Sequence, residues 1–250
     1  MLNLLNNNVL ILNCKKMKKT IKLWTLLAIM VALMVSCTRE PVSPTPPTPD
    51  EDFVSSDWVD LGLPSGLLWA KCNVGATSPQ DFGDYFAWAE TSPKSDYDWP
   101  TYQYWQDNRI TKYCSNSGWG YNGYTDNLTI LEAGDDAATA NMSSGARTPT
   151  KDEWEELIAN TTHVYTTIDT TYGILFTGSN GNTMFVPSAG FKYRFFGLYN
   201  GNEYGTYWTS SVRNDFMFEA WFASFTADTL KMHYVNRPIG YTVRAVHASH

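Results

Sequence analysis

Apolar and polar positions change their spacing several times along the chain, and each spacing implies a different element. Trp58-Val59-Asp60-Leu61-Gly62-Leu63 and Leu67-Leu68-Trp69-Ala70 flank Pro64-Ser65-Gly66, the pattern of two short strands about a turn. Helical spacing is clearest at Trp154, Leu157 and Ile158, where Thr150 followed by Glu153 forms a capping box. A weaker, Ala-rich helix is predicted over Asp135 to Asn141. The last hundred residues alternate like β-structure. Tyr172 to Thr177 and Thr183 to Val186 surround Asn180-Gly181, a strong hairpin signal. A second hairpin is predicted from Ala220 to Thr226 and Thr229 to Val235, turning at Ala227-Asp228, and a last strand from Gly240 to Val246. Gln80 to Asn127 and Ser188 to Tyr207 are long stretches rich in Gly, Asn, Tyr and Trp. Such lengths within a domain imply functional loops or strands paired far along the chain. The fold class expected is α+β with much irregular structure.

The first 52 residues follow another pattern. Met17-Lys18-Lys19 leads into a mostly apolar run from Leu23 to Val35. That run is shorter than the about 20 residues needed to cross a bilayer and has the layout of a secretory signal. Ser36-Cys37 is similar to a bacterial lipobox, in which the Cys becomes diacylated, although Met34 stands where Leu is usual. Pro41, Pro44, Pro46, Pro47 and Pro49 then favour an extended spacer. The expected organisation is an upstream extension and signal over 1–36, a lipidated Cys37 and Pro-rich tether over 37–52, and one domain over 53–250. The expected address is the outer membrane of the cell envelope, surface-exposed or periplasm-facing, with the lipid as the membrane contact.

Composition narrows the function. With 43% hydrophobic, 17% charged and 15% aromatic residues, the chain is too ring-rich and charge-poor to be disordered. Five lysines and no acids precede Cys37, so the remainder sets 13 basic residues against 25 acidic ones, a net charge of −12. That balance disfavours nucleic acid as a partner. Beyond Cys14 and Cys37, only Cys72 and Cys114 remain. In an oxidising compartment a Cys72–Cys114 disulfide is the default expectation, with two buried free thiols as the alternative.

Trp58 to Gly66, continuing through Trp69-Ala70-Lys71-Cys72-Asn73-Val74-Gly75-Ala76, resembles the Fibrobacter succinogenes major paralogous domain family. Gly83 to Thr91, Arg147 to Trp154, Tyr207-Trp208-Thr209-Ser210-Ser211 and the terminal Arg237, Gly240, Val243, Arg244 and Val246 extend the resemblance. The Arg147-x-Pro149-Thr150-x-x-Glu153-Trp154 block and the Gly240-x-x-Val243-Arg244-x-Val246 ending are also similar to the formylglycine-generating, sulfatase-modifying group. The resemblance implies a single C-type-lectin-like domain in which the first and last strands pair, with small antiparallel sheets, one clear helix and long loops. Enzymes of that group depend on cysteines in their C-terminal part, and none follows Cys114 here, so the resemblance implies no oxidase activity. In relatives of this fold the segment ending Val-Arg-x-Val is sometimes diversified, a layout that the Asn- and Tyr-rich stretch from Tyr199 to Tyr241 fits.

Signals for catalysis are few. No Gly-x-Ser-x-Gly, His-Glu-x-x-His or phosphate-binding Gly-rich motif occurs, and His163, His233, His247 and His250 lack ligand spacing. No cofactor or metal is implied. Asp135-Asp136 is a candidate half of a hydrolytic acid pair, though acids ahead of an Ala run more often start a helix. Binding has more to show. Tyr and Trp on loops supply rigid amphipathic area and Asn adaptable hydrogen bonds. The candidate ligand-binding residues are Tyr199, Asn200, Asn202, Tyr204, Asn214, Phe216, Tyr234, Asn236 and Tyr241. A second aromatic cluster comprises Tyr85, Trp88, Trp99, Tyr102, Tyr104, Trp105, Trp119, Tyr121 and Tyr124, either a platform for sugar rings or core filling. The function expected is a non-catalytic envelope lipoprotein that binds a glycan or protein ligand. A structural component of the envelope is the alternative, and a hydrolase a more distant one.

Overall fold

The structure, a computed structural model, describes residues 55–249. These lie within one compact unit, Pro49–His250. The expectations for the signal, for Cys37 and for the tether fall outside the described residues.

In chain order the strands are β1 Trp58–Asp60, β2 Leu68–Ala70, β3 Trp105–Gln106 and β4 Arg109–Ile110. Helices α1 Ala137–Asn141 and α2 Lys151–Asn160 follow. Then come β5 Thr162–Ile168, β6 Thr171–Thr177, β7 Thr183–Pro187, β8 Phe191–Lys192, β9 Leu198–Tyr199, β10 Gly205–Val212, β11 Glu219–Phe225, β12 Leu230–Asn236 and β13 Val246–His247. Single 3-10 turns, such as Trp99–Thr101, punctuate the loops. The class is α+β, with small antiparallel sheets and one clear helix.

Local chemistry explains the elements that the sequence predicts. Thr150 caps α2 by accepting from the Glu153 amide at 3.2 Å, while Glu153 accepts from the Thr150 amide at 2.8 Å. Trp154 and Leu157 bury the inner face of α2. The β6–β7 hairpin turns at Asn180-Gly181, where Gly181 has φ +85°. The first strand stops at Asp60 rather than Leu63, because the Asp60 carboxylate takes the Gly62 amide at 2.7 Å and Gly62 adopts φ +65°.

Two three-stranded sheets, β5-β6-β7 and β10-β11-β12, form the body, and a third has the order β1-β2-β13. Val246 pairs with Trp69 and His247 with Leu68, so the end of the domain closes onto its beginning. The predicted final strand shortens to Val246–His247. Before it, Gly240, Tyr241 and Thr242 bridge singly to Lys192, Phe86 and Tyr207, and each change of neighbour interrupts the ladder. This segment threads the core, with every residue from Gly240 to His247 buried.

The largest core cluster gathers Trp58, Phe86, Trp88, Tyr113, Trp208, Phe222 and Tyr241, a second Trp69, Trp154, Leu157, Phe176, Tyr207 and Phe225, and two smaller ones centre on Tyr97 and on Ile110. Two fully buried arginines brace them without a carboxylate. Arg237 donates to the Lys112 and Tyr113 carbonyls at 3.1 and 2.7 Å and lies over the Trp88 ring. Arg244 donates to the carbonyls of Ala70, Lys71 and Phe185, tying β2 to β7. Carbonyl oxygens thus replace water at the terminal nitrogens of both guanidinium groups, while each Nε is buried without a hydrogen-bond partner.

The expected disulfide is not formed. Cys72 and Cys114 are both free thiols. Cys114 is buried beside Ile110 and Met217, its sulfur bonded to the Asn116 carbonyl. Cys72 is half-buried in a cleft with Asp57, Trp58 and Met142, where burial pushes its thiol up. The two sulfurs belong to different neighbourhoods, which sequence separation alone does not reveal.

Candidate functional site

The predicted binding residues fall into two groups that no hydrogen bond, ion pair or ring contact joins directly. Tyr199 stacks on Phe191 with centroids 5.5 Å apart and stays 36% exposed. Asn200 and Asn202 take φ +51° and +70°, a left-handed backbone that Asn tolerates better than most residues. The Asn202 side chain accepts from the Tyr172 amide at 2.6 Å and donates to the Thr170 carbonyl at 2.9 Å, so it braces two loops. Tyr204 is exposed at the same turn, its amide bonded to the Asn200 carbonyl. In the other group, Asn214, Phe216, Tyr234 and Asn236 are exposed around the β10–β11 connection and β12. Tyr241 belongs to neither group and is a correction: it is 5% exposed and packs between Trp208 and Phe222, each 4.7 Å away.

The second aromatic cluster divides as well. Tyr85, Trp88 and Tyr102 are core residues, whereas Trp99 and Trp105 are half-buried and Trp119 is 43% exposed. The fold brings the last three onto the β10–β11 connection. Phe218 is the hub, with its ring 5.8 Å from Trp99, 5.9 Å from Trp105, 5.0 Å from Trp119 and 5.3 Å from Phe216. Trp99 also lies 4.3 Å from Trp105.

Each ring is set by a local device. Asp98 caps the Trp99–Thr101 turn, accepting from the Trp99 amide at 2.8 Å. Trp105 begins the β3–β4 hairpin, whose Asp107 and Asn108 take φ +48° and +59°, the values of a type I′ turn. Trp119 follows an Asn116 turn that receives the Gly118, Trp119 and Gly120 amides. Phe216 and Phe218 sit on a loop closed by Arg213, which pairs with Asp215 at 2.8 Å and Glu219 at 2.5 Å and lies 3.7 Å over the Tyr234 ring. The Arg213 hydrogen bonds hold the Asp215 carboxyl below its ordinary range.

Beside Trp119 lies an open hollow of about 500 Å³ lined by Asp107, Arg109, Ser117, Tyr121 and Asn122. Arg109 donates to the Gly118 carbonyl. Among the described residues, the Asp107 carboxylate, the Ser117 and Tyr121 hydroxyls and the Asn122 amide have no protein hydrogen-bond partner. An apolar ridge of rings packed edge to face, next to uncommitted hydroxyl, amide and carboxylate groups, is suited to a ring with one apolar face and polar edges. The sequence singled out the aromatic residues but not Asp107 or Arg109. An available signal was the Asp107-Asn108 pair, a hairpin turn between Trp105 and Ile110.

The candidate acid pair has structural duties. Asp135 accepts from the Tyr104 and Tyr113 hydroxyls at 2.5 and 2.6 Å and from Lys112 at 2.6 Å. Burial pushes its carboxyl up, but these three donors outweigh that and hold it below the usual range. Asp136 caps α1 and receives Thr148. His163 is exposed on β5, His233 half-buried on β12, and His247 buried near the Ser144 and Ala248 carbonyls. Among the described residues, no group of three or more His, Cys, Asp or Glu is placed to hold a metal ion. A scan against family models, a search of curated proteins and a search of solved structures each find no match to this chain.

Proposed function

We propose that this chain is a binding module without catalytic activity of its own, and that its ligand is a glycan seated on the aromatic ridge. The observation that carries this is the convergence of Trp99, Trp105 and Trp119 on Phe218, which Phe216 also meets, next to the polar hollow. A pyranose would lay its C–H face on the ridge and direct its hydroxyls to Asp107, Arg109 and Asn122. Within this proposal the domain is a C-type-lectin-like member of the Fibrobacter succinogenes major paralogous domain family. The joining of β2 to β13 and the long ring-bearing loops support that assignment. The leader and Cys37 support display as an outer-membrane lipoprotein. No helix among the described residues is long and apolar enough to cross a membrane.

A glycan array followed by calorimetry on the best ligand tests the proposal. Trp119→Ala and Asp107→Gly alter exposed side chains, and glycine suits the left-handed backbone of position 107, so the fold should survive. Each is expected to weaken binding by about tenfold or more, since one stacked or doubly hydrogen-bonded group contributes ~1–3 kcal/mol. Saturable binding that ignores both substitutions, or an array without any hit, would refute it. A protein ligand would then be sought on the same ridge.

A further inference from the structure

The β8–β9 hairpin presents a feature that neither the core nor the ridge uses. Its tip reads Tyr193-Arg194-Phe195-Phe196-Gly197. Phe195 is 72% and Phe196 58% exposed, the two most exposed large apolar side chains among the described residues. Their rings lie 4.5 Å apart, so they form one apolar knob, and Leu198, two residues on in the hairpin, is exposed as well.

The base of the hairpin is held firmly. Lys192 and Gly240 exchange both backbone hydrogen bonds at 2.8 Å, Arg194 pairs with Tyr97, and the Arg194 guanidinium meets Asp98 at 3.0 Å. Nothing in this bracing requires phenylalanine at the tip. From Phe191 to Asn202 the chain carries two basic residues and no acid, although the part beyond Cys37 has a net charge of −12.

We propose that this hairpin is a membrane-contacting loop, with Phe195 and Phe196 entering the boundary between headgroups and acyl chains of a lipid bilayer. A convex knob needs no preformed pocket in a soft apolar phase. Tyr193 and Tyr199 supply the amphipathic rings suited to headgroup depth, and Lys192 a cation that anionic headgroups attract, the Arg194 charge being already paired with Asp98. The inference does not rest on the glycan site, because the Phe195 and Phe196 rings meet each other and make no ring contact with the ridge.

Hydrogen exchange of the full chain tests it, with and without vesicles of phosphatidylethanolamine and phosphatidylglycerol in a three-to-one mixture. Vesicle-dependent protection is expected across residues 193–199. A Phe195→Ser/Phe196→Ser variant should lose that protection and partition at least about tenfold less, as burial of two phenyl rings would require. Both chains share the same N-terminal segment, so binding through that segment is common to the comparison. Absence of vesicle-dependent protection at the hairpin, or equal partitioning of the variant, would overturn the proposal. Protection that grows with protein concentration and not with vesicles would overturn it too, assigning the knob to a second copy of the chain.

Discussion

Asp136 offers the sharpest test of whether the buried acids are structural or chemical. It is 4% exposed, and its carboxylate receives the Ala138 and Thr139 amides at 2.8 and 3.3 Å, the Thr148 amide at 2.8 Å and the Thr148 hydroxyl at 2.6 Å. Asp136→Ala removes a helix cap, which costs about 1 kcal/mol. It also strands the Thr148 amide and hydroxyl in the interior at ~1–3 kcal/mol each. Relief of the carboxylate's own desolvation offsets part of this, leaving a net loss of roughly 3–5 kcal/mol. Against a typical domain stability of ~5–15 kcal/mol this is a large fraction. With an m-value of about 2 kcal/mol/M, the urea midpoint should fall by about 2 M at unchanged slope. Asp136→Asn keeps the oxygen that serves Ala138, Thr139 and the Thr148 hydroxyl, so it should lose only about half as much. A loss below about 1 kcal/mol for the alanine variant would refute the structural account. So would a hydrolytic activity abolished by Asp136→Asn at unchanged stability.

Gly190→Ala should destabilise the domain by at least ~1 kcal/mol, because Gly190 has φ +62° and a Cβ would collide with the Tyr199 carbonyl and Gly201 amide. A neutral urea curve would contradict this. Asp135 and Glu153 are both held below the ordinary carboxylate range; in each case hydrogen bonds outweigh burial, from Lys112 and two tyrosines and from Arg147 and Thr150 respectively. Their stabilisation is complete above the unfolded values of about 4 and is lost as pH falls through the lower folded ones. Thermal melting should therefore be flat from neutrality to about pH 5 and decline below it, less steeply in Asp135→Asn. Peptide mapping without reductant should recover Cys72 and Cys114 in separate peptides, and a linked pair would show that the thiols meet.

Signals carried by a few neighbouring residues were readable in advance. The capping box at Thr150 and Glu153 places α2, and Asn180-Gly181 and Ala227-Asp228 place two hairpins, because each sets its own dihedrals and hydrogen bonds. Alternation was less informative where every face is covered. The segment from Gly240 to Val246 looks like a strand, yet it changes neighbour at nearly every residue and takes Tyr241 into the core. Asn-rich loops resembled a binding surface, but Asn200 and Asn202 also answer a need for left-handed backbone.

Composition and short motifs were enough to mark an α+β, ring-rich, acidic domain, since these depend on residue type and near spacing. Which rings face water, which thiols lie apart and where Trp99, Trp105 and Trp119 meet Phe218 depend on contacts spanning about a hundred residues. Chain entropy opposes such closures and only the packed core offsets it, so they exist in the folded molecule and nowhere in a local stretch of it.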